Sequence, residues 1–516
     1  MTRSASLLVA AASAAIVVVA TAMSVPPTPR HPRSWELFQD VSAAVGLTAA
    51  AGLKYGGPVV ADLNRDGVYD LVLPQHNLDP TLVYYGRPNG TYARAPDLFP
   101  FLYDIHGVAA GDVDLDGDLD LLVTLGGAFG VRPQPPVFLR NTNGTGYRVD
   151  TEAAGLAAMG GRGRSPRFVD LDRDGDLDLI LFHYVVLSGP GPRQQVYENV
   201  GGGKYVFRPG SGLDDTIGEQ LVLTDMDNDR RADVVSFPFF RLYRQVSPFQ
   251  FVDETIARLG HIPFFVERLA PAFAVVEFDM DNDGFFDLYV VRGAAPDVLL
   301  RNTGTGRYDD VTATAGLTDA CHSTGVTAGD FDNDGNVDVM VFCGGPTGRR
   351  ETDVLLYNLG DGTFHTSTTH GAVADAANGR GDAGQAFDYD GDGRLDVLVG
   401  NGDRDDAAAA GTWALYRNIL PACVPGRHYL TVRVRRNWPR TSAAAGALVT
   451  VRVGNTTRSR RVGSAGGANH QSQLDIVHFG VGDATVVDEV RVFWSDGSFS
   501  PVRRNVAVDQ RISFGR

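Results

Sequence analysis

A nine-residue acidic pattern, Asp112-Val-Asp-Leu-Asp-Gly-Asp-Leu-Asp120, constrains this chain more than any other feature, because it occurs seven times and always between two apolar runs. The copies begin at Asp62, Asp112, Asp170, Asp225, Asp279, Asp330 and Asp388, at steps of 50, 58, 55, 54, 51 and 58 residues. Asp stands at positions 1, 5 and 9 of every copy, and at position 3 of every copy but the first, which has Asn64. Positions 1, 3, 5 and 9 are therefore Asp62, Asn64, Asp66 and Asp70 in the first copy and Asp112, Asp114, Asp116 and Asp120 in the second. The third has Asp170, Asp172, Asp174 and Asp178, and the fourth Asp225, Asp227, Asp229 and Asp233. The fifth has Asp279, Asp281, Asp283 and Asp287, the sixth Asp330, Asp332, Asp334 and Asp338, and the seventh Asp388, Asp390, Asp392 and Asp396. Oxygens alternating along a short turn suit a hard cation, and Ca²⁺ accepts about six to eight of them in an irregular cage.

An EF-hand is excluded, because it needs flanking helices and a bidentate Glu at position 12. That position holds Leu73, Val123, Leu181, Ser236, Val290, Val341 and Val399. Short β-branched runs such as Val337-Asp-Val-Met-Val-Phe342 follow each turn, and similar runs precede it, so the motif is expected on the turn between two strands. A period near 54 residues with roughly four short strands in each unit is the signature of propeller blades. The expected fold is all-β: a seven-bladed β-propeller over residues 34–420, followed by a small antiparallel β domain over 427–516.

Charge is divided along the chain. The net charge is −16, yet from Arg427 onward there are 14 Arg and no Lys against 6 acidic residues. The seven motifs alone hold 29 Asp, which would repel one another without counterions. The acidity thus reads as a demand for six or seven Ca²⁺ and argues against nucleic acid as a partner. The Arg458-Ser-Arg-Arg461 cluster reads as a solvated strand face, with an anionic polymer as the alternative ligand.

At the amino terminus Arg3 precedes an apolar run from Leu7 to Ala22 that is followed by Pro26, Pro27 and Pro29, the layout of a signal peptide over residues 1–22. The expected location is secreted and extracellular, with an uncleaved membrane anchor as the alternative, and no membrane span is expected in the mature chain. Three sequons, Asn89-Gly-Thr91, Asn143-Gly-Thr145 and Asn455-Thr-Thr457, are candidate glycosylation sites. Cys321 and Cys343 flank the sixth motif, where either a bridge or two buried thiols fits, and Cys423 is left over.

A second signature leads the units, as Phe38-Gln-Asp-Val-Ser-Ala-Ala-Val-Gly-Leu47 and Tyr308-Asp-Asp-Val-Thr-Ala-Thr-Ala-Gly-Leu317, and strands end in Leu-Arg-Asn302, Tyr-Asn358 and Tyr-Arg-Asn418. Together with the acidic turns, these residues resemble the FG-GAP repeats of integrin α-subunit propellers, and still more the longer repeats of the cartilage acidic protein family. The resemblance implies that the turns bind Ca²⁺ through side chains at positions 1, 3, 5 and 9 and a backbone carbonyl at position 7. Beyond Pro425, the alternating strands Tyr429–Arg435 and Ala447–Val453, with Gln471-Ser-Gln473, His478-Phe-Gly-Val-Gly482 and Trp494-Ser-Asp-Gly497, resemble an ASPIC/UnbV domain.

The fourth copy departs from the pattern, with Arg230 in place of Gly and Arg231 after it. A position that needs φ > 0 would be strained there, and two cations beside the cage would weaken the site. His470 and His478 read as packed or exposed rather than catalytic. The functional expectation is an extracellular binding or adhesion module, without catalytic residues, whose partner is a protein or glycan. A lectin-like carbohydrate binder and a calcium-dependent polysaccharide-cleaving enzyme are the alternatives.

Overall fold

The computed structural model describes residues 36–47, 56–76, 80–95, 99, 104–126, 134–158, 160–184, 194–318, 321–344, 351–372, 381–402, 410–421, 424–436, 443–463 and 470–515. The expected signal peptide, Trp35, Cys423 and Trp438 lie outside these residues. No helix among the described residues is long and apolar enough to cross a membrane.

The protein is all-β. Seven antiparallel four-stranded sheets follow one another along the chain, each with its acidic turn between its first two strands. In the second sheet these are Ile105–Gly111, Asp120–Leu125, Val137–Asn141 and Tyr147–Val149. The second strand of each sheet is apolar at successive residues because both of its faces are covered. In the first sheet Leu71 and Leu73 pack toward the seventh sheet while Val72 packs toward the second. In the second, Leu121 and Val123 face back to the first sheet and Leu122 faces on to the third. The same division recurs in the third sheet, where Leu179 and Leu181 meet the second and Ile180 and Phe182 the fourth.

The seventh sheet joins the two ends of the array. Its strands Gly381–Phe387, Asp396–Gly402 and Ala410–Asn418 are completed by the N-terminal strand Phe38–Asp40, which pairs as Phe38 with Asn418 and Asp40 with Tyr416. Trp413, Leu398 and Leu415 of this sheet share a core with Val60, Leu71 and Tyr84 of the first.

The lead signature itself is a hydrogen-bonded corner. Asp40 accepts the Ser42 N–H at 2.9 Å, and Ser42 Oγ accepts the Leu415 N–H. Asp310 and Thr312 repeat this corner on Leu299, and Asp253 and Thr255 repeat it on Leu242. An Asp followed two residues later by Ser or Thr is what this geometry requires. Cys321 and Cys343 are bridged.

Beyond the array, two sheets face each other across a core that includes Leu430, Val432, Val449, Val451, Phe479 and Trp494. One has the strands Ile476–Gly482, His428–Val434 and Gln510–Phe514; the other has Thr456–Arg461, Leu448–Val453, Val486–Phe493 and Arg503–Ala507.

Candidate functional site: seven acidic turns

The seven turns share one hydrogen-bonded frame. The position 1 carboxylate accepts the N–H of position 6 in every copy, from Gly67 on Asp62 at 3.0 Å to Gly393 on Asp388 at 3.1 Å. Position 5 accepts the N–H of position 7 in every copy, as Asp66 does from Val68. Position 9 is buried and clamps two strands. Asp178, for example, accepts the Leu171 N–H through one oxygen and the Asn199 N–H through the other, both at 2.8 Å.

Two positions in each turn take the left-handed conformation. Position 6 is Gly at φ near +90° in most copies, and Arg230 adopts it at +66°. Position 4 does the same as Arg65, Leu115, Arg173, Asn228, Asn282, Asn333 and Gly391. The need for a positive φ at position 6 was readable from the recurring Gly, whereas position 4 shows only a bias to Asn and Gly.

The donor set fits a hard cation. With Oδ2 of position 1 held by the turn, Oδ1 of Asp62, Asp112 and Asp225 is buried without a hydrogen-bond partner, as is Oδ1 of Asp227 and Asp281 at position 3. Carboxylate oxygens from positions 1, 3 and 5 lie within 4.8 Å of one another in the second and fourth turns, and from positions 1, 3 and 9 in the third and fifth. Burial pushes Asp112 and Asp279 up to about 7, and Asp170, Asp225 and Asp388 up to about 6. The clamping Asp120 and Asp178 rise further, to about 8 and about 9, for the same reason.

Arginines from the sheets reach position 3. Arg140 Nη1 is 2.7 Å from Asp114, Arg301 Nε 2.6 Å from Asp281 and Arg417 Nη2 2.8 Å from Asp390. The residue after each of these arginines is the Asn that ended the strand signature. Asn141, Asn302 and Asn418 each donate Nδ2 to the carbonyl at position 2 of a preceding turn, on Leu63, Met226 and Phe331. Asn199, Gln245 and Asn358 do likewise on Val113, Leu171 and Met280, so six such bonds tie the sheets together. In the first sheet Gly86 replaces Asn, because a Cβ there would lie 2.3 Å from the Tyr69 carbonyl oxygen.

The fourth turn corrects the sequence reading. Arg230 and Arg231 point away from the cage: the Arg230 guanidinium lies 4.3 Å from the centre of the Phe493 ring, and Arg231 donates to the Val246 carbonyl. Positive charges near this cage are instead Arg244 and Arg258, 3.7 and 3.8 Å from Asp227, and Arg461, which acts on Asp225. By contrast, among the described residues no ion pair is formed by Asp170, Asp172, Asp174 or Asp178 of the third turn.

A second correction concerns the basic C-terminal domain, which covers the turn end of the sheets. Arg458, Arg460 and Arg461 are not a solvated face. Arg461 pairs with Glu277 at 2.9 Å, Arg458 donates to the Gly335 carbonyl, and Arg460 lies in the field of Asp279 and Asp330. Arg433 meets Asp62 at 3.2 Å, Arg427 meets Asp332 at 3.1 Å and Arg511 meets Asp388 at 3.8 Å. The extended residues before Ile476 add further bonds: the Gln471 and Gln473 N–H groups donate to the Val108 and Val60 carbonyls, the Gln471 side-chain amide bonds the Phe168 backbone, and Ser472 Oγ accepts the Val60 N–H. His470 accepts the Val108 N–H, and His478, whose pKa burial lowers to about 4, bonds the Gly393 carbonyl, so both histidines are packed.

Sequence profiles agree with this division. The FG-GAP-like repeat matches residues 62–123 and 279–341, and the ASPIC and UnbV profile matches 439–516. The chain therefore carries FG-GAP-like repeats and ends in an ASPIC/UnbV domain. No curated protein matches the chain. Among solved structures it is similar to an Agrocybe aegerita lectin that recognises non-reducing terminal N-acetylglucosamine, at 16% identity over 72% of this chain and 92% of that one, with a TM-score of 0.43. It is also similar to the V. cholerae biofilm matrix protein Bap1, at 12% identity over 92% of this chain and 75% of that one, with a TM-score of 0.29. Likenesses this distant say nothing about a ligand.

Proposed function

We propose that this chain is a secreted, seven-bladed β-propeller loaded with six or seven Ca²⁺, acting as an extracellular binding or adhesion module for a protein or glycan. The observation that carries the reading is the contrast between the two ends of the sheets. At the turn end, seven copies keep one frame and one set of carboxylates. At the other end the repeat lapses: six residues before each first Asp stand Gly56, His106, Arg164, Glu219, Phe273, Thr324 and Asp382. A braced scaffold that presents variable loops is how rigid folds bind partners. In this reading positions 1, 3, 5 and 9 and the position 7 carbonyl hold the cations, and the C-terminal domain covers the braced end.

The test is retention of ligands from extracellular protein extracts and a glycan array, in millimolar Ca²⁺ and in chelator. A partner held in Ca²⁺ and lost in chelator supports the module. Equal retention in both, no retention at all, or cleavage of a polysaccharide overturns it.

A further inference from the structure

The end of the sheets away from the acidic turns holds two histidines that the repeat does not explain. Asp104 and His106 lie two residues apart at the start of the strand Ile105–Gly111, which places them on one side of the same extended segment. His76 arrives from the neighbouring sheet, three residues beyond the strand Asp70–Leu73. Asp104 Oδ1 is 2.9 Å from His106 Nε2 and 3.5 Å from His76 Nε2, and the imidazole centres are 5.3 Å apart. All three groups offer ligand atoms within 4.8 Å of one another. His106 is 1% exposed and His76 9%, while Asp104 is more open, so two buried imidazoles meet a partly exposed carboxylate.

Gly126 supplies an independent observation. A Cβ there would stand 2.1 Å from Asp104 Oδ2 and 2.8 Å from His106 Cε1. Its φ is not left-handed, so backbone conformation does not demand glycine here. Glycine here lets the carboxylate and the imidazole lie against the backbone where any side chain would displace both, and the Gly126 N–H holds Asp104 by its backbone carbonyl at 2.7 Å.

We propose that His76, His106 and Asp104 form a site for a divalent transition metal, with zinc as its probe. Two imidazoles and one carboxylate suit zinc and disfavour Ca²⁺, which takes oxygen ligands alone. Ligand atoms about 2.1 Å from a tetrahedral centre lie roughly 3.4 Å apart, a separation the two measured distances bracket. Three protein ligands leave a fourth position open to water or to a partner's side chain. Because its ligands come from the first and second sheets, the metal also bridges these two sheets.

The experiment is calorimetric titration of Zn²⁺ into the full chain held in millimolar Ca²⁺, so that the acidic turns do not compete, with Co²⁺ absorption as a second readout. One Zn²⁺ per chain is expected, with a tetrahedral Co²⁺ spectrum. His76→Gln and Gly126→Val each weaken Zn²⁺ binding at least 30-fold, whereas Val149→Thr, at an exposed position of the second sheet, leaves it within twofold. His76 is less deeply buried than His106, so His76→Gln reports on the site even if a His106 variant fails to fold. Absence of Zn²⁺ binding by the wild type, or wild-type affinity in His76→Gln, overturns the proposal.

Discussion

Within one acidic turn the carboxylates serve two purposes, and single substitutions separate them. Asp178 at position 9 accepts two backbone N–H groups, whereas Asp172 at position 3 accepts only that of Asp174. Asp178→Ala should destabilise the protein even in chelator, by about 1–3 kcal/mol for the buried donors left unmade. Asp172→Ala should lose stability only in Ca²⁺, and thermal melts with and without chelator distinguish the two. The third and fourth turns differ in the same assay. Asp225→Ala should forfeit less Ca²⁺-dependent stability than Asp170→Ala, since Arg244 and Arg258 already oppose a cation at Asp227. Arg244→Gln should raise affinity at that site about three- to tenfold, while Arg230→Gly, whose charge is stacked on Phe493, should change it little. The effect of pH has a definite sign. Position 1 carboxyls with folded pKa values of about 6 to 7 lie above an unfolded value near 4. In the calcium-free protein their protons stabilise the fold at low pH, and this contribution is lost as pH rises through 6 to 7. Ca²⁺ has to displace those protons, so its affinity should fall as pH drops from 7.5 to 5.5, as titration at fixed ionic strength will show.

At the level of strands, the count of units and the turn between the first two strands are legible in the sequence. Those features depend on local periodicity and on residues that recur. The bonds from Asn141, Asn199, Asn302, Asn358 and Asn418 to an earlier turn were visible only as a strand-end Asn, because their acceptors lie 76 to 87 residues away. In the same way, Arg230 could be read as strained but not as stacked, since Phe493 lies in another domain. Deleting residues 34–47 removes Leu37 and Phe38 from the core between the sixth and seventh sheets together with the pairing on Asn418. The whole array, not the seventh sheet alone, should then lose its cooperative melt, and an unchanged melting curve would refute that role.

For the whole molecule, composition exposes a basic C-terminal domain and an acidic array, but it cannot say that one covers the other. The contacts of Arg433 with Asp62, Arg427 with Asp332 and Arg511 with Asp388 make the arginines partial counterions of the turns. Arg433 reaches Oδ2 of Asp62, whereas Oδ1 of Asp62 and of Asp112 is buried without a hydrogen-bond partner and is the atom the proposed cation would bind. Each filled site that binds the folded state alone adds RT ln(1 + [L]/Kd), about 1.4 kcal/mol at tenfold excess over Kd. The most direct measurement is a calcium count per chain by elemental analysis, after equilibration in millimolar Ca²⁺ and removal of free ion, paired with a melt in chelator. Six or seven Ca²⁺ and a large fall in melting temperature on chelation are predicted; two or fewer Ca²⁺, with no such fall, would contradict the assignment of the turns as metal sites.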